Sequence, residues 1–259
     1  MTYLDAILAA HRERAAVDGR SLDTLVERAT GCPPTRGFAR ALEAAPGLAV
    51  VAEIKRRSPS KGALAADLDP AALAQEYARG GAAALSVLTD HDHFGGSPDD
   101  LRDARHAVSI PVLRKDFTVA AADVCDARIM GADAVLLIAA ALDDRELSDF
   151  HALATQVGLD ALVEIHDEAE LERALDVGAT LIGVNQRDLV TFEVDHERAV
   201  RVGRAIPETT IGVAESGVRG VADAGSLRAA GFDAVLVGET LVTADDPRQM
   251  VSDLAHAGE

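Results

Sequence analysis

The chain has 259 residues, 48% of them apolar, and a formal charge of −18 with an isoelectric point near 4.7. That apolar content excludes a disordered chain, and so acidic a surface repels nucleic acid and anionic membranes, which removes both as partners. Any anionic ligand must therefore be held by local positive charge, and lysine is scarce: Lys55, Lys61 and Lys115 stand against 22 arginines.

Two readings of the acidity stay open. Dense carboxylates suit a halophilic protein in a salt-rich cytoplasm, where screening relieves their repulsion. A GC-rich genome that favours Ala, Asp and Arg codons would give the same composition.

In chain order, MTYLDAILAAHRERAAVDG has Asp5 early and polar residues on each turn, the pattern of an amphipathic helix rather than a signal peptide. A second helical stretch follows the break at Asp18-Gly19. Cys32 and Cys125 fit no metal or redox spacing and are expected as free thiols of a cytoplasmic protein. No apolar run approaches the ~20 residues that span a membrane.

From Leu48 onward one pattern recurs. In five cases a helical stretch ends in glycine and an apolar run follows; three more runs, 48–56, 110–117 and 209–217, lack the glycine but look alike. The runs are LAVVAEIKR (48–56), GGAAALSVLT (80–89), IPVLRKDF (110–117), GADAVLLIA (131–139), GLDALVEIH (158–166), GATLIGVNQRD (178–188), TTIGVAESG (209–217) and GFDAVLVGET (231–240). Glycine suits the left-handed position just past a helix, and such runs read as strands buried on both faces. Stretches of helical period lie between them, such as 70–80, 167–178 and 221–231. Eight strands alternating with helices predict an α/β fold, a closed (β/α)8 TIM barrel. An open doubly wound sheet would favour G-x-G-x-x-G after the first strand, which is absent. Residues 1–259 are read as one domain, with 1–47 as a helical extension packed on the barrel.

The polar strand ends are the candidate site. Glu53 and Lys55 end the first strand, Lys115 and Asp116 the third, Glu164 and His166 the fifth, Asn185, Arg187 and Asp188 the sixth, and Glu215 and Ser216 the seventh. Period-two alternation puts Glu53 with Lys55, Lys115 with Phe117, and Asn185 with Arg187 on shared faces. These residues converge on the C-terminal mouth, where barrel active sites sit. An ion-pair ring closing the barrel top would use the same residues; the concentration of scarce lysine there favours anion chemistry.

Ser216-Gly217 after strand seven and Gly238-Glu239 before the short helical ETLVTA fit the usual barrel phosphate cradle of backbone N–H groups. The Glu239 side chain must then point away from the anion. His91 and His93 in HDHFGGS lack an evident third ligand and read as a solvated loop. Phe94 and Phe117 at the mouth could be core or an aromatic substrate wall.

EIKRRSPSKG, PVLRKDF, LVEIHD, GVNQRDL, AESGV and LVGETL, in this order, resemble the indole-3-glycerol phosphate synthase family. The resemblance runs from about Leu48 to the last strand, and the N-terminal extension is also characteristic. It implies a carboxy-lyase of tryptophan biosynthesis with a phosphorylated small-molecule substrate, 1-(2-carboxyphenylamino)-1-deoxyribulose 5-phosphate. The ring closes, CO2 leaves and water is eliminated. No cofactor or metal is expected. The chain would be a monomer or weak oligomer, able to contact other enzymes of that pathway. By motif position, Lys115 resembles the general acid on the ketone oxygen, and Glu164 the acid/base of dehydration. Glu53 and Asn185 would orient these groups. Lys55 would hold phosphate or act as a second acid, and Ser216 joins the catalytic set. Ser58, Glu215, Gly217, Gly238 and Glu239 match substrate contacts; Pro59, Phe94, Phe117 and Arg187 match the surroundings of the anthranilate ring and its carboxylate. Serine is common in the family where Glu239 stands, which favours a backbone contact there. Lys61 is expected in a lid after strand one.

A rival barrel enzyme, phosphoribosylanthranilate isomerase, needs a cysteine at the end of the first strand, where Glu53 and Lys55 stand here. A non-catalytic phosphate-binding barrel would not require these acid and base positions.

The charge makes a prediction of its own. At ~1 M salt the Debye length falls to ~3 Å, so self-repulsion is screened and the melting temperature should climb with KCl well past physiological strength. A flat or falling curve in thermal melts would assign the composition to codon usage.

Overall fold

The computed structural model describes residues 3–59, 61–188 and 193–258. Ser60 of the first motif and Leu189 at the end of GVNQRDL lie outside the described residues.

Eight parallel strands close into a barrel, each beside its sequence neighbours and the last beside the first. They are β1 (Ala49–Ile54), β2 (Ala84–Leu88), β3 (Val112–Lys115), β4 (Ala134–Ile138), β5 (Asp160–Ile165), β6 (Leu181–Asn185), β7 (Ile211–Glu215) and β8 (Ala234–Val237). All eight fall inside the expected runs but are shorter, because residues at the ends of the runs lie outside the ladder. Lys55 sits just past β1, His166 just past β5, and Arg187 two residues past β6.

Alternation divides the apolar residues into two layers. Ala49, Val51, Leu113, Leu136, Leu162, Leu181, Val213 and Leu236 point inward and fill the lower barrel. Val50, Ala52, Leu85, Val87, Leu137, Val163, Ile182 and Val235 point outward under the helices. Glu53, Lys115, Glu164, Asn185 and Glu215 continue the inward rows one step further. On β1, β3, β5 and β7 the interior thus turns from apolar to charged within a single step.

The extension forms three helices where two were expected: α1 (Tyr3–Ala16), α2 (Leu22–Thr30) and α3 (Phe38–Glu43). The outer helices are α4 (Pro70–Arg79), α5 (Pro98–Ala107), α6 (Ala121–Met130), α7 (Asp144–Gln156), α8 (Glu168–Asp176), α9 (His196–Gly203), α10 (Val221–Ala229) and α11 (Pro247–Ala255). Side-chain N-caps start several of them, as Asp69 does for α4 and Asp167 for α8. In α1 the less exposed residues Leu4, Ile7, Leu8 and His11 share a helical face. That face lies on the mouth, and Arg12 anchors it through Glu146 on α7 (2.7 and 2.8 Å) and the Ala141 carbonyl (3.1 Å). Helix α2 packs on α6. Helix α3 plugs the opposite end, with Phe38 and Leu42 buried in the inner layer. It was not expected because six residues carry too little periodicity to stand out.

Three aspartates in the G-x-D-A sequences tie this base together. Asp133 is fully buried; its Oδ2 accepts from the Val112 N–H (2.9 Å), and its Oδ1 from the Arg36 N–H (2.8 Å) and Arg105 Nη2 (3.2 Å). Asp160 accepts from the Ala39 N–H at the start of α3 (3.0 Å), and Asp233 from the Gly212 N–H of β7 (2.8 Å). Each carboxylate satisfies a backbone donor at the barrel base, where an unmet buried N–H costs ~1–3 kcal/mol.

Asp133→Ala should therefore be costly. It strands the Val112 N–H and the Arg105 guanidinium, a loss of about 3 kcal/mol, which for a chain of this size lowers the melting temperature by roughly 6–12 °C. Urea unfolding followed by circular dichroism checks this; a loss below about 1 kcal/mol would make Asp133 incidental to the base.

Candidate active site

A cavity of about 500 Å³ opens at the C-terminal mouth. Its centre is Lys115 at the end of β3. Its Nζ donates to Glu164 Oε2 (2.6 Å) from β5 and to Glu215 Oε2 (2.9 Å) from β7. Both carboxylates are about 98% buried or more. Burial alone would depress the Lys115 pKa, but the charges of Glu164, Glu215 and Glu53 outweigh it and hold the ammonium far above its ordinary range. Burial likewise opposes ionisation of Glu164. Lys115, His166 and the Asn185 Nδ2 bond to Oε1 (3.0 Å) overcome it and keep that carboxylate ionised. Glu215 goes the other way. Burial raises it, and the nearby charges of Glu164 and Glu53 offset part of the pull of Lys115, so it is pushed up to about 7. One ammonium cannot fully stabilise two buried carboxylates at once.

Glu215 can reach Lys115 because β6 carries Gly183 beneath it; a Cβ at 183 would lie 2.0 Å from Glu215 Oε1. On the far side Lys55 Nζ donates to Glu53 Oε1. This pair rests on Gly238, where a Cβ would fall 2.3 Å from Glu53 Oε1 and 2.8 Å from Lys55 Nζ.

The proposed anion loops follow β7 and β8. Ser216 has φ 66° and Gly217 φ 71°. A non-glycine residue in the left-handed region is uncommon and is a form of strain found at functional sites. Gln186 Nε2 supports this turn by donating to the Ser216 carbonyl (2.8 Å), and Thr240 Oγ1 ties the two loops by donating to the Val218 carbonyl (2.6 Å). Gly238 and Glu239 open the short helix Glu239–Val242. The Glu239 carboxylate is turned to Lys61, with Oε1 3.6 Å from Nζ. Lys61 stands on a small hairpin, Arg57–Ser58 with Gly62–Ala63, that follows β1.

The opposite wall is apolar. Phe94 and Phe117 lie with ring centroids 6.2 Å apart, and His11 of α1 stands 5.3 Å from Phe117. Tyr3, Leu4 and Ile7 of α1 also line the cavity. His11 Nε2 lies 3.0 Å from Asp90 Oδ2, which pins the helix over the mouth. His11, Asp90 and Asp116 bring ligand atoms within 4.8 Å of one another. Their oxygens are already engaged. Asp90 Oδ1 accepts from the His93 N–H, and Asp116 accepts from Thr89 Oγ1, Arg114 Nη2 and the Phe117 N–H. The set reads as a hydrogen-bonded clasp between α1 and the barrel.

Glu53, Lys55, Ser58, Pro59, Phe94, Lys115, Phe117, Glu164, Asn185, Arg187, Glu215, Ser216, Gly217, Gly238 and Glu239, the residues singled out in the sequence, all line this cavity. So does Lys61, and all three lysines of the chain therefore meet at one site. His166 does not line it, although it shares parity with Glu164, because β5 ends at Ile165 and the chain turns. His91 and His93 point elsewhere: His93 Nδ1 pairs with the Tyr3 hydroxyl (3.0 Å), and His91 sits exposed beside Asp92. The α1 residues were missed as site residues. Their 4, 7, 8, 11 spacing signalled a packed face but not what it covers.

Comparison with known proteins agrees with this geometry. The family model described as indole-3-glycerol phosphate synthase matches residues 4–254. Curated proteins named indole-3-glycerol phosphate synthase are similar over the full length. The one from Mycolicibacterium smegmatis is 51% identical, covering 99% of this chain and 95% of its own. Those from Parafrankia sp. and, as synthase 1, Streptomyces coelicolor are each 52% identical, covering 100% of this chain and 97% of theirs. Among solved structures, thiamine phosphate pyrophosphorylase from Pyrococcus furiosus superposes with a TM-score of 0.58 at 17% identity, over 80% of this chain and 93% of that one, a likeness of fold alone. With an eight-stranded barrel, three lysines gathered at its mouth and a match spanning nearly the whole chain, this protein belongs to the indole-3-glycerol phosphate synthase family.

Proposed function

We infer that this chain is a carboxy-lyase that converts 1-(2-carboxyphenylamino)-1-deoxyribulose 5-phosphate to indole-3-glycerol phosphate. The observation that carries the reading is the meeting of all three lysines at one cavity in a protein of net charge −18. Surface cations here are arginines; lysine is retained where a compact ammonium with an adjustable pKa is useful.

The substrate has a phosphate at one end and a ring carboxylate at the other. We place the phosphate between the loops after β7 and β8, on backbone N–H groups around Ser216, Gly217, Gly238 and Glu239, with Ser58 and Lys61 on the near side. The anthranilate ring fits the apolar wall of Pro59, Phe94 and Phe117, with Arg187 toward its carboxylate. The ketone carbon then falls near Lys115. Protonation of the ketone oxygen by Lys115 Nζ makes that carbon electrophilic, and the ring carbon bearing the carboxylate attacks it. Loss of CO2 returns an electron pair to the ring. The new hydroxyl leaves as water with a proton relayed through the Glu164 carboxylate, and the adjacent methylene carbon gives a proton back to the Lys115 amine. Glu53 orients Lys55, which serves as phosphate anchor or second acid, and Asn185 orients Glu164. Glu215 acts through Lys115: its elevated pKa lets it share a proton there rather than add a full charge opposite the substrate.

This arrangement uses residues 1–259 as one domain, because α1 roofs the ring pocket. We place the enzyme in the cytoplasm as a monomer or weak oligomer that can meet other enzymes of its pathway. Two free cysteines and the absence, among the described residues, of a helix long and apolar enough to cross a membrane support that placement.

Incubation with the aminodeoxyribulose phosphate should produce indole fluorescence; silence, with the substrate bound, would leave a phosphate-binding barrel. Lys115→Arg tests the central group. Arginine keeps the charge, but its planar fork is too broad to sit between Glu164 and Glu215 and present a proton to the ketone oxygen as the compact ammonium does. Turnover should fall at least ~10²-fold, with the Michaelis constant within ~10-fold, because the loss is felt mainly in the transition state. Parental turnover would reduce Lys115 to an electrostatic anchor and make Lys55 the candidate acid.

A further inference from the structure

His166 is a half-buried titratable group that the reaction as written leaves idle. It follows β5 directly, and its ring is fixed by α8: its backbone N–H donates to Glu170 Oε2 (2.7 Å), and Nδ1 lies 3.1 Å from the same oxygen. The other nitrogen, Nε2, is buried without a hydrogen-bond partner among the described residues and stands 3.9 Å from Glu164 Oε1. A buried polar nitrogen without a partner costs stability and calls for an explanation. The Glu170–His166–Glu164 row runs from the helix side of the barrel wall to the back of the acid/base carboxylate.

The proposed reaction has a matching need. The ring carboxylate departs as neutral CO2, so its negative charge must be met by a proton from outside. Two protons enter the departing water, one by way of the ketone oxygen and one with the leaving hydroxyl. A single proton returns from the methylene carbon. Each turnover therefore takes up one proton, at a moment when substrate fills the cavity and α1 lies over it.

We propose that His166 is a positioning residue that stores this proton behind Glu164 and supplies it on each turnover. This rests on the reading of Glu164 as the acid/base group. The Nε2–H bond of the imidazolium breaks and an O–H bond forms on Glu164 Oε1, leaving neutral imidazole with Nδ1–H on Glu170. Glu164 passes the proton to the leaving hydroxyl, which departs as water, and the methylene proton returns to the Lys115 amine. Lysine and glutamate thus end as they began, and the imidazole regains its proton from solvent after product release. The 3.9 Å separation closes to hydrogen-bond length as substrate binds, when catalytic hydrogen bonds commonly tighten.

The surroundings favour the charged ring. Burial lowers its proton affinity and Arg198 on α9 opposes charge, but the Glu170 hydrogen bond and the charges of Glu164 and Glu170 outweigh both and raise it above the ordinary histidine value. Lys115 lies beyond Glu164, already paired with it. Because the raised group is the proton-bearing form, the store is full below its pKa and empties as pH rises through it. The chemical step should lose rate along that alkaline limb.

Single-turnover kinetics across neutral and mildly alkaline pH test this, with substrate affinity and melting temperature measured in parallel. In His166→Gln the rate at neutral pH should drop ~10²-fold with affinity within ~3-fold, and the alkaline limb should vanish. In Glu170→Gln, which keeps the oxygen but removes its charge, the limb should move to lower pH by roughly one unit. Histidine ¹⁵N NMR of the parent should show His166 titrating at the limb. A parental limb in His166→Gln, or a limb unmoved in Glu170→Gln and away from the NMR titration, overturns the proposal. If His166→Gln does not fold, the Glu170 variant and the NMR titration decide alone. Glu164→Gln separates the two readings: parental turnover there removes Glu164 itself as the acid/base, whereas a stalled Glu164→Gln beside an unaltered pH profile in His166→Gln removes only the proton store.

Discussion

Lys115 between two buried carboxylates is the constraint around which the mouth is arranged. An isolated ammonium at that depth would lose its proton or open the structure to water, since desolvating a charge costs several kcal/mol. Glu164 and Glu215 prevent this, and in doing so they create the opposite problem of two anions at one cation. The protein answers asymmetrically. Glu164 is held ionised by Lys115, Asn185 and the His166 side of the wall, while Glu215 is raised to about 7. With Glu53 and Lys55 alongside, the inner site is close to neutral when Glu215 carries a proton. In the placement proposed above, a multiply charged substrate then meets little net repulsion, with its two anionic ends at the rims by the backbone N–H groups, Lys61 and Arg187.

This electrostatic core dictates small choices elsewhere. Gly183 and Gly238 are needed because Glu215 and the Glu53–Lys55 pair lie where a Cβ would go. Asp133, Asp160 and Asp233 at the base show another use of acidic residues, as acceptors for backbone donors at strand ends and on the extension. The extension in turn joins the two ends of the barrel: α3 plugs the apolar base, α2 lies on α6, and α1 reaches the ring pocket through Ile7 and the His11–Asp90 clasp. Surface charge is handled by arginine, often in forked contacts such as Arg12 with Glu146, Arg20 with Asp126 and Arg56 with Asp100. The exposed pairs of Arg12 and Arg20 contribute little individually to stability, while Arg56–Asp100 is half-buried; all three leave lysine for the mouth.

Much of this was legible in the chain because the barrel repeats a local rule. A strand buried on both faces is a short apolar run, a period of two assigns its faces, and a polar residue at its end has one direction to point. Glu53, Lys115, Glu164, Asn185 and Glu215 could be placed on the mouth by counting along their runs. Past the ladder counting held at Lys55, Phe117 and Arg187, which line the cavity, and failed at His166, which has the parity of Glu164 but lies where the backbone is free to turn.

The linear order of residues thus determined the eight-stranded barrel, the inward rows and the gathering of lysines, since each follows from spacing within a single strand and from charge composition. Partnerships between distant segments were decided by folding. That Lys115 is shared by Glu164 and Glu215, that α1 roofs the pocket and that Lys61 faces Glu239 all depend on barrel closure and on where loops turn. Such contacts join residues tens to more than a hundred positions apart, and no periodicity within one element encodes them. The pKa values follow the same division, because burial and neighbouring charge exist only once those segments are packed together.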